Sequence, residues 1–288
     1  MDETLVPILY ATLAAFCFGA QVVVTMRSFA HVDPQTSSMI SIGTCVVIFW
    51  SMSPFLLKVE YLKNPGMWVF LANGLIHPLF SIYMAFEATK RMGPTVSATI
   101  SATAPLFATA GAVLFLGEHI TIMLLLGTVG TVVGVMVLSW RGQGRRDWAL
   151  WALILPIGAA IIRGANHNLG KFGLELLPSP YVAGLVSFTV SFIGSVLIYR
   201  LRIGRLPFSL PRRGLMWSGL AGALIAMGIL NMYTALYCGR VVVVSPIIAA
   251  FPLFTLIISL LFRQERFRLR ILAGVVLVMG GIIWISIQ

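Results

Sequence analysis

The chain has 288 residues, of which 59% are hydrophobic and only 10% are charged. A water-soluble domain carries roughly 25% charged residues, so this composition excludes a soluble globule and points to one embedded in lipid. The formal net charge of +11 then belongs with basic loops on one side of a membrane, and no nucleic-acid partner is expected.

A spanning helix needs about 20 mostly apolar residues. Ten such runs follow one another, at residues 5–26, 35–57, 67–88, 94–116, 120–140, 148–170, 179–200, 214–237, 241–262 and 269–287. The acidic start Met1-Asp2-Glu3-Thr4 lacks the basic region of a cleaved signal, so the first run is expected to be retained. Short turns rich in Gly, Pro or Arg separate the runs, as at 31–34, 63–66, 117–119 and 178–180. The most hydrophilic break, residues 141–147, falls at the centre of the chain. Cys17, Cys45 and Cys238 lie in apolar runs without metal-ligand spacing and are expected to be buried packing residues.

Basic residues set the orientation. Fifteen Lys and Arg fall in the loops after runs one, three, five, seven and nine, against Lys58, Lys63, Lys171 and Arg240 on the other side. The positive-inside rule puts the first set in the cytoplasm and both termini on the outer side. Trp68, Trp140, Trp148, Trp151, Trp217 and Trp284 fall near expected helix ends, where an interfacial aromatic belt belongs.

The chain repeats itself. At a constant offset of 147 positions, residues 88–139 and 235–286 share 15 identities, including Pro105/Pro252, Leu106/Leu253, Phe107/Phe254, Glu118/Glu265, Gly127/Gly274 and Gly134/Gly281. Shared hydrophobicity does not place a Pro, a Glu and two Gly in register. Five is odd, so the second half enters the membrane upside down. The expected fold is an all-α polytopic membrane protein of ten helices in a 5+5 inverted repeat, with halves at 1–140 and 148–288. Inverted repeats are a recurrent plan of secondary transporters, with the substrate near the midplane.

The ten-run plan, the repeated interior Pro, the terminal Glu and the Gly-rich last run (Gly127, Gly130, Gly134; Gly274, Gly280, Gly281) resemble the EamA type of the drug/metabolite transporter superfamily. The resemblance covers essentially the whole chain. It implies an inner-membrane carrier, often an exporter of amino acids or other small metabolites, with a cavity lined by spans one, three, four, six, eight and nine. One departure is that the second Glu follows Arg263-Gln264, whereas Leu116-Gly117 precedes the first. The proton-coupled four-helix branch of that superfamily relies on a carboxylate in its first helix. Gln21 is what this chain offers there, so carboxylate-based proton antiport of cations is not expected.

Polar side chains in lipid face the bundle interior or a cavity. Several runs carry them four apart, on one helical face: Cys17, Gln21 and Thr25; Asn73, His77 and Ser81; Thr95, Thr99 and Thr103; Arg163 and His167, with Asn166 alongside; Tyr233 and Tyr237, with Asn231 nearby. The candidate substrate site is Gln21, His77, Tyr83, Thr103, Arg163, Asn166, His167 and Tyr233. The other reading is that the hydroxyls bond their own helices and the amides tie helices together.

Arg163, fifteen residues from Trp148, is expected in the outer part of the membrane core. It either grips a carboxylate or phosphate with its two-pronged fork or snorkels to the outer interface. His77 is either a proton carrier or a neutral structural group, and Glu87 pairs with Lys90 and Arg91 or relays a proton. Pro105 and Pro252, mid-run, are expected to kink a pair of gating helices.

No catalytic motif, metal cluster or cofactor site is recognisable. The function expected is alternating-access transport of a small organic solute across the inner membrane by a single chain among lipids. The alternatives are a lipid or isoprenoid-phosphate flippase and a membrane-embedded enzyme.

Overall fold

The computed structural model describes residues 5–81, 84, 87–88, 91, 100–101, 103–139, 150–203, 210–261 and 269–286. The described helices are α1 (Leu5–Ser28), α2 (Pro34–Leu56), α3 (Gly66–Ile76), α4 (Ala104–Phe115), α5 (Ile122–Ser139), α6 (Ile154–Leu176), α7 (Pro180–Ile203), α8 (Arg212–Cys238), α9 (Val241–Ala249), α10 (Phe251–Leu261) and α11 (Leu269–Ser286). No strand occurs among the described residues. Six stretches are long and apolar enough to cross a membrane: Leu5–Ser28, Pro34–Leu56, Leu150–Leu176, Pro180–Leu201, Arg212–Cys238 and Val241–Leu261. Shorter apolar helices, Ala104–Phe115, Ile122–Val137 and Ala273–Ile285, lie at the fourth, fifth and tenth runs, and α3 lies at the third. The protein is an all-α polytopic membrane protein.

Local signals start and stop these helices. Asp33 caps α2, accepting from the Thr36 N–H at 3.0 Å, with Pro34 in the first turn. Lys171 reaches the Gly239 carbonyl at 3.1 Å, a cation at the end of α8. Cys17 and Cys45 are buried, but Cys238 is exposed, contrary to expectation, because it is the last residue of α8 where the chain turns away.

Three expected spans are not continuous helices. The third breaks at His77, which is extended (φ −129°, ψ 134°), because the following Pro78 disfavours helix at the residue before it. Asn73, His77 and Ser81 therefore do not share one uninterrupted helix face. In the ninth, α9 ends and α10 begins around Ala250. In the fourth, α4 begins after Thr103. Pro105 and Pro252 thus sit in the first turn of a half-helix, where a missing N–H costs nothing, and not in the middle of a kinked one.

The two halves repeat each other in their contacts. A Cβ at Gly19 would lie 2.6 Å from the Cβ of Phe254, and one at Gly164 would lie 2.9 Å from that of Phe107. Phe107 and Phe254 are partners in the repeat, so α1 meets α10 as α6 meets α4. Ser41 Oγ donates to the Ser218 carbonyl at 2.9 Å, and Ser187 Oγ donates to that of Phe70 at 3.1 Å. Cys45 Sγ donates to the Gly222 carbonyl at 3.1 Å, and Ser191 Oγ to that of Gly74 at 2.6 Å. Hence α2 meets α8 as α7 meets α3. The fifth and tenth spans pack on each other through their glycines, Gly134 against Val278 and Gly281 against Thr131. Small residues at such crossings let helix backbones approach where lipid offers no hydrophobic drive. The mirrored set is a 5+5 inverted repeat.

Candidate functional site

The interior polar groups converge where α3, α6, α7, α8 and α9 meet. Asn73 on α3 has a fully buried side chain, and Asn166 on α6 is 2% exposed. Asn73 Nδ2 donates to Asn166 Oδ1 at 2.9 Å and to Tyr233 Oη at 3.0 Å. Tyr233 is 1% exposed, and Ser187 Oγ of α7 donates to the Phe70 carbonyl of α3 at 3.1 Å. His167 Nδ1 is 2.9 Å from Ser245 Oγ on α9. These bonds join α3 to α6, α7 and α8, and α6 to α9, and they include three of the expected site residues: Asn166, His167 and Tyr233.

Arg163 stands at the edge of this network. It is the middle residue of the 27-residue stretch Leu150–Leu176, some 20 Å from either end at about 1.5 Å per residue. That is close to the depth expected from the sequence; α6 itself begins at Ile154, after a 3₁₀ turn over Leu150–Leu153, and runs on to Leu176, and Arg163 is half-buried. It lies close enough to His77 and His167 to act on both electrostatically. Among the described residues its guanidinium has no hydrogen-bond acceptor and no carboxylate partner. A charge at this depth without a protein counter-ion is expensive, and an anion bound beside it removes that cost.

The remaining expected site residues lie elsewhere. Gln21 Nε2 donates to Thr25 Oγ1 at 2.6 Å within α1. Gln21 is nonetheless the counterpart of Asn166, each being two residues after the mirrored glycine, Gly19 or Gly164. Thr103 bonds the Ile100 carbonyl at 2.7 Å. Tyr83, Thr95 and Thr99 lie outside the described residues. Tyr237 is exposed. Glu87 pairs with Arg91 at 2.6 Å, and Arg91 lies 4.8 Å from the centre of the Trp151 ring, so this carboxylate is an interfacial ion pair. Asn73 belongs to the network although only its position on a polar face suggested it. Ser187 and Ser245 carried no signal, since a lone Ser in an apolar run usually bonds its own helix.

Glu118 holds the repeats together at one end. Its carboxylate accepts from the backbone N–H groups of Val241 and Val242, at 2.8 and 3.0 Å, in the first turn of α9. A carboxylate there satisfies orphan donors and complements the helix dipole. Arg240 donates to the carbonyl of His119 alongside it. The loop ending α4 is thereby clamped to the start of α9, on the face opposite the basic loops.

The family model of the EamA-like transporter family matches the chain twice, over residues 5–140 and 150–287. An uncharacterized protein of Methanocaldococcus jannaschii, MJ1333.1, is 36% identical over 139 residues, covering 48% of this chain and 97% of its own length. A solved crystal structure superposes with a TM-score of 0.84 at 15% identity, covering 98% of this chain and 96% of its own, which is a likeness of fold. Ten-run architecture, mirrored packing and a double family match over nearly every residue agree: the chain belongs to the EamA-like transporter family, membrane transporters of small solutes.

Proposed function

We propose that the protein is an alternating-access carrier of a small organic solute bearing an anionic group, an amino acid or related metabolite, which it exports across the inner membrane with both termini outside. The observation that carries this is Arg163, a cation at mid-membrane with no carboxylate partner among the described residues. A carboxylate on the solute supplies the missing counter-charge, and the guanidinium fork binds it with two parallel hydrogen bonds. His77, Asn166 and His167 surround the same point, Tyr233 adds an aromatic wall, and Gln21, Tyr83 and Thr103 are the further contacts expected as the site opens.

The half-helix breaks serve as hinges. In each half a break precedes a proline, Pro105 or Pro252, and the two half-helices α4 and α10 pack on the first helix of the opposite half. Rocking one repeat against the other around the fixed site exposes it alternately. A single chain contains both repeats, so a monomer suffices.

The test is counterflow in proteoliposomes against a panel of labelled amino acids and related acids. Protein-dependent exchange of a carboxylate-bearing solute, lost in Arg163→Gln and absent for its amide or decarboxylated analogue, supports the reading. Equal exchange of acid and analogue would remove the anionic-solute assignment.

A further inference from the structure

A groove of about 340 Å³ lies between α1, α8 and α10, lined by none of the network residues, with Phe16 and Leu220 exposed at the molecular surface. Phe16, Ala20 and Val24 line it from one face of α1, and Ile258 of α10 closes the opposite wall. Phe16, at one end of it, also packs edge-on against Phe254 of α10, with ring centres 5.8 Å apart. At its mouth the character changes. Arg27, in the last turn of α1, lies 5.1 Å from the centre of the Trp217 ring, and Arg213 is one turn before Trp217 on the same side of α8. All of this lies at the end of the helices that carries the basic loops.

We propose that this groove binds one anionic phospholipid, with an acyl chain along the apolar trough and the phosphate against Arg27 and Arg213 at the level of Trp217. An apolar trough ending in a guanidinium over a Trp ring offers a partner to each half of such a lipid. The charge selects the headgroup, since basic side chains at the cytoplasmic surface attract anionic lipids. The trough has no polar lining along its length to carry a headgroup across, so the bound lipid stays in its leaflet. It touches α10 through Ile258, beyond the break at Ala250, and therefore holds the half-helix that packs on α1.

The test uses the full chain with Trp217 as its only Trp, the others being replaced by Phe, in phosphatidylcholine bilayers. Brominated-tail phosphatidylglycerol or brominated phosphatidylcholine is then titrated in. The expected result is quenching of Trp217 at about five-fold lower mole fraction of the anionic lipid, the factor equivalent to ~1 kcal/mol for one basic residue near the surface. Arg27→Gln abolishes the preference and Arg27→Lys keeps it. The unmodified chain in mixed micelles gives an independent reading: phosphatidylglycerol raises Tm more than phosphatidylcholine does, and Arg27→Gln removes that difference. Equal quenching and equal Tm rise with both lipids, or a preference untouched by Arg27→Gln, would overturn the proposal.

Discussion

Thr103 and Ala250, equivalent residues of the two halves, adopt the same turn: φ −76°, ψ −5° and φ −76°, ψ 5°. Each stands two residues before a proline, and each ends a break in what the sequence presents as one continuous apolar span. The identities flanking these positions are therefore fixed by backbone geometry as well as by hydrophobicity. The backbone is satisfied locally at both. Thr103 N–H donates to the Ile100 carbonyl at 3.1 Å and Leu106 N–H to that of Thr103 at 2.9 Å. Ala250 N–H likewise donates to the Ile247 carbonyl at 3.2 Å and Leu253 N–H to that of Ala250 at 2.9 Å, so each span is divided by a tight 3₁₀-type turn.

The mirrored glycines make a matched pair of packing tests. Gly164→Val brings a branched side chain against the Ala108 backbone nitrogen, 2.8 Å from a Cβ, whereas a Cβ at Gly130 meets its nearest atom at 3.9 Å. Gly164→Val is expected to destabilise by about 1–3 kcal/mol and Gly130→Ala by less than about 0.5 kcal/mol. Thermal unfolding in detergent checks both.

Glu118 predicts a local opening. Glu118→Ala leaves the Val241 and Val242 N–H groups without their carboxylate, a loss of about 1–2 kcal/mol. Hydrogen exchange at the first turn of α9 should quicken roughly ten-fold, with α5 and α11 unchanged. In Glu118→Gln, one side-chain oxygen remains to accept, so an intermediate rate is expected.

The Asn73–Asn166 pair is incompletely bonded. Asn73 Oδ1 and Asn166 Nδ2 are both buried without a hydrogen-bond partner among the described residues. Each unmet group costs about 1–3 kcal/mol, a cost that a water or solute polar group reaching the pair would remove. Tyr233→Phe removes one of the remaining bonds of Asn73 and is expected to lower stability by roughly 1 kcal/mol while weakening solute binding. Denaturation and binding isotherms on the same variant measure the two effects separately.

Much of this fold is legible in the chain. Ten apolar runs, the one-sided basic loops and a gapless repeat over 88–139 and 235–286 are all in the sequence. The repeat in the first three spans of each half is hidden because its spacing drifts: Gly19 pairs with Gly164, Ser41 with Ser187 and Gly74 with Gly222. These mirrored contacts need only a small side chain or one hydroxyl reaching a backbone carbonyl, and leave neighbouring residues free to diverge. Divergence also separates the two halves in polarity. Matched by the same drifting spacing, Arg163 corresponds to Phe18, His167 to Val22, Asn73 to Ala221 and His77 to Ile225. The polar groups thus accumulated in one set of helices on a symmetric scaffold. Arg163, Asn166, His167 and Tyr233 stood out as polar residues in lipid, but their partners Asn73, Ser187 and Ser245 lie on other helices, and which helices meet cannot be read from the spacing within any one run.

The central claim is that Arg163 holds the anionic group of a transported solute. Its most direct test is counterflow of the best accepted carboxylate solute by wild type, Arg163→Gln and Arg163→Lys at equal, correctly folded protein density. Losing a buried charged hydrogen bond costs about 2 kcal/mol or more. Arg163→Gln is therefore expected to lose at least roughly 30-fold in apparent affinity, with partial recovery in Arg163→Lys, which keeps the charge but not the fork. Unchanged affinity in Arg163→Gln would contradict it.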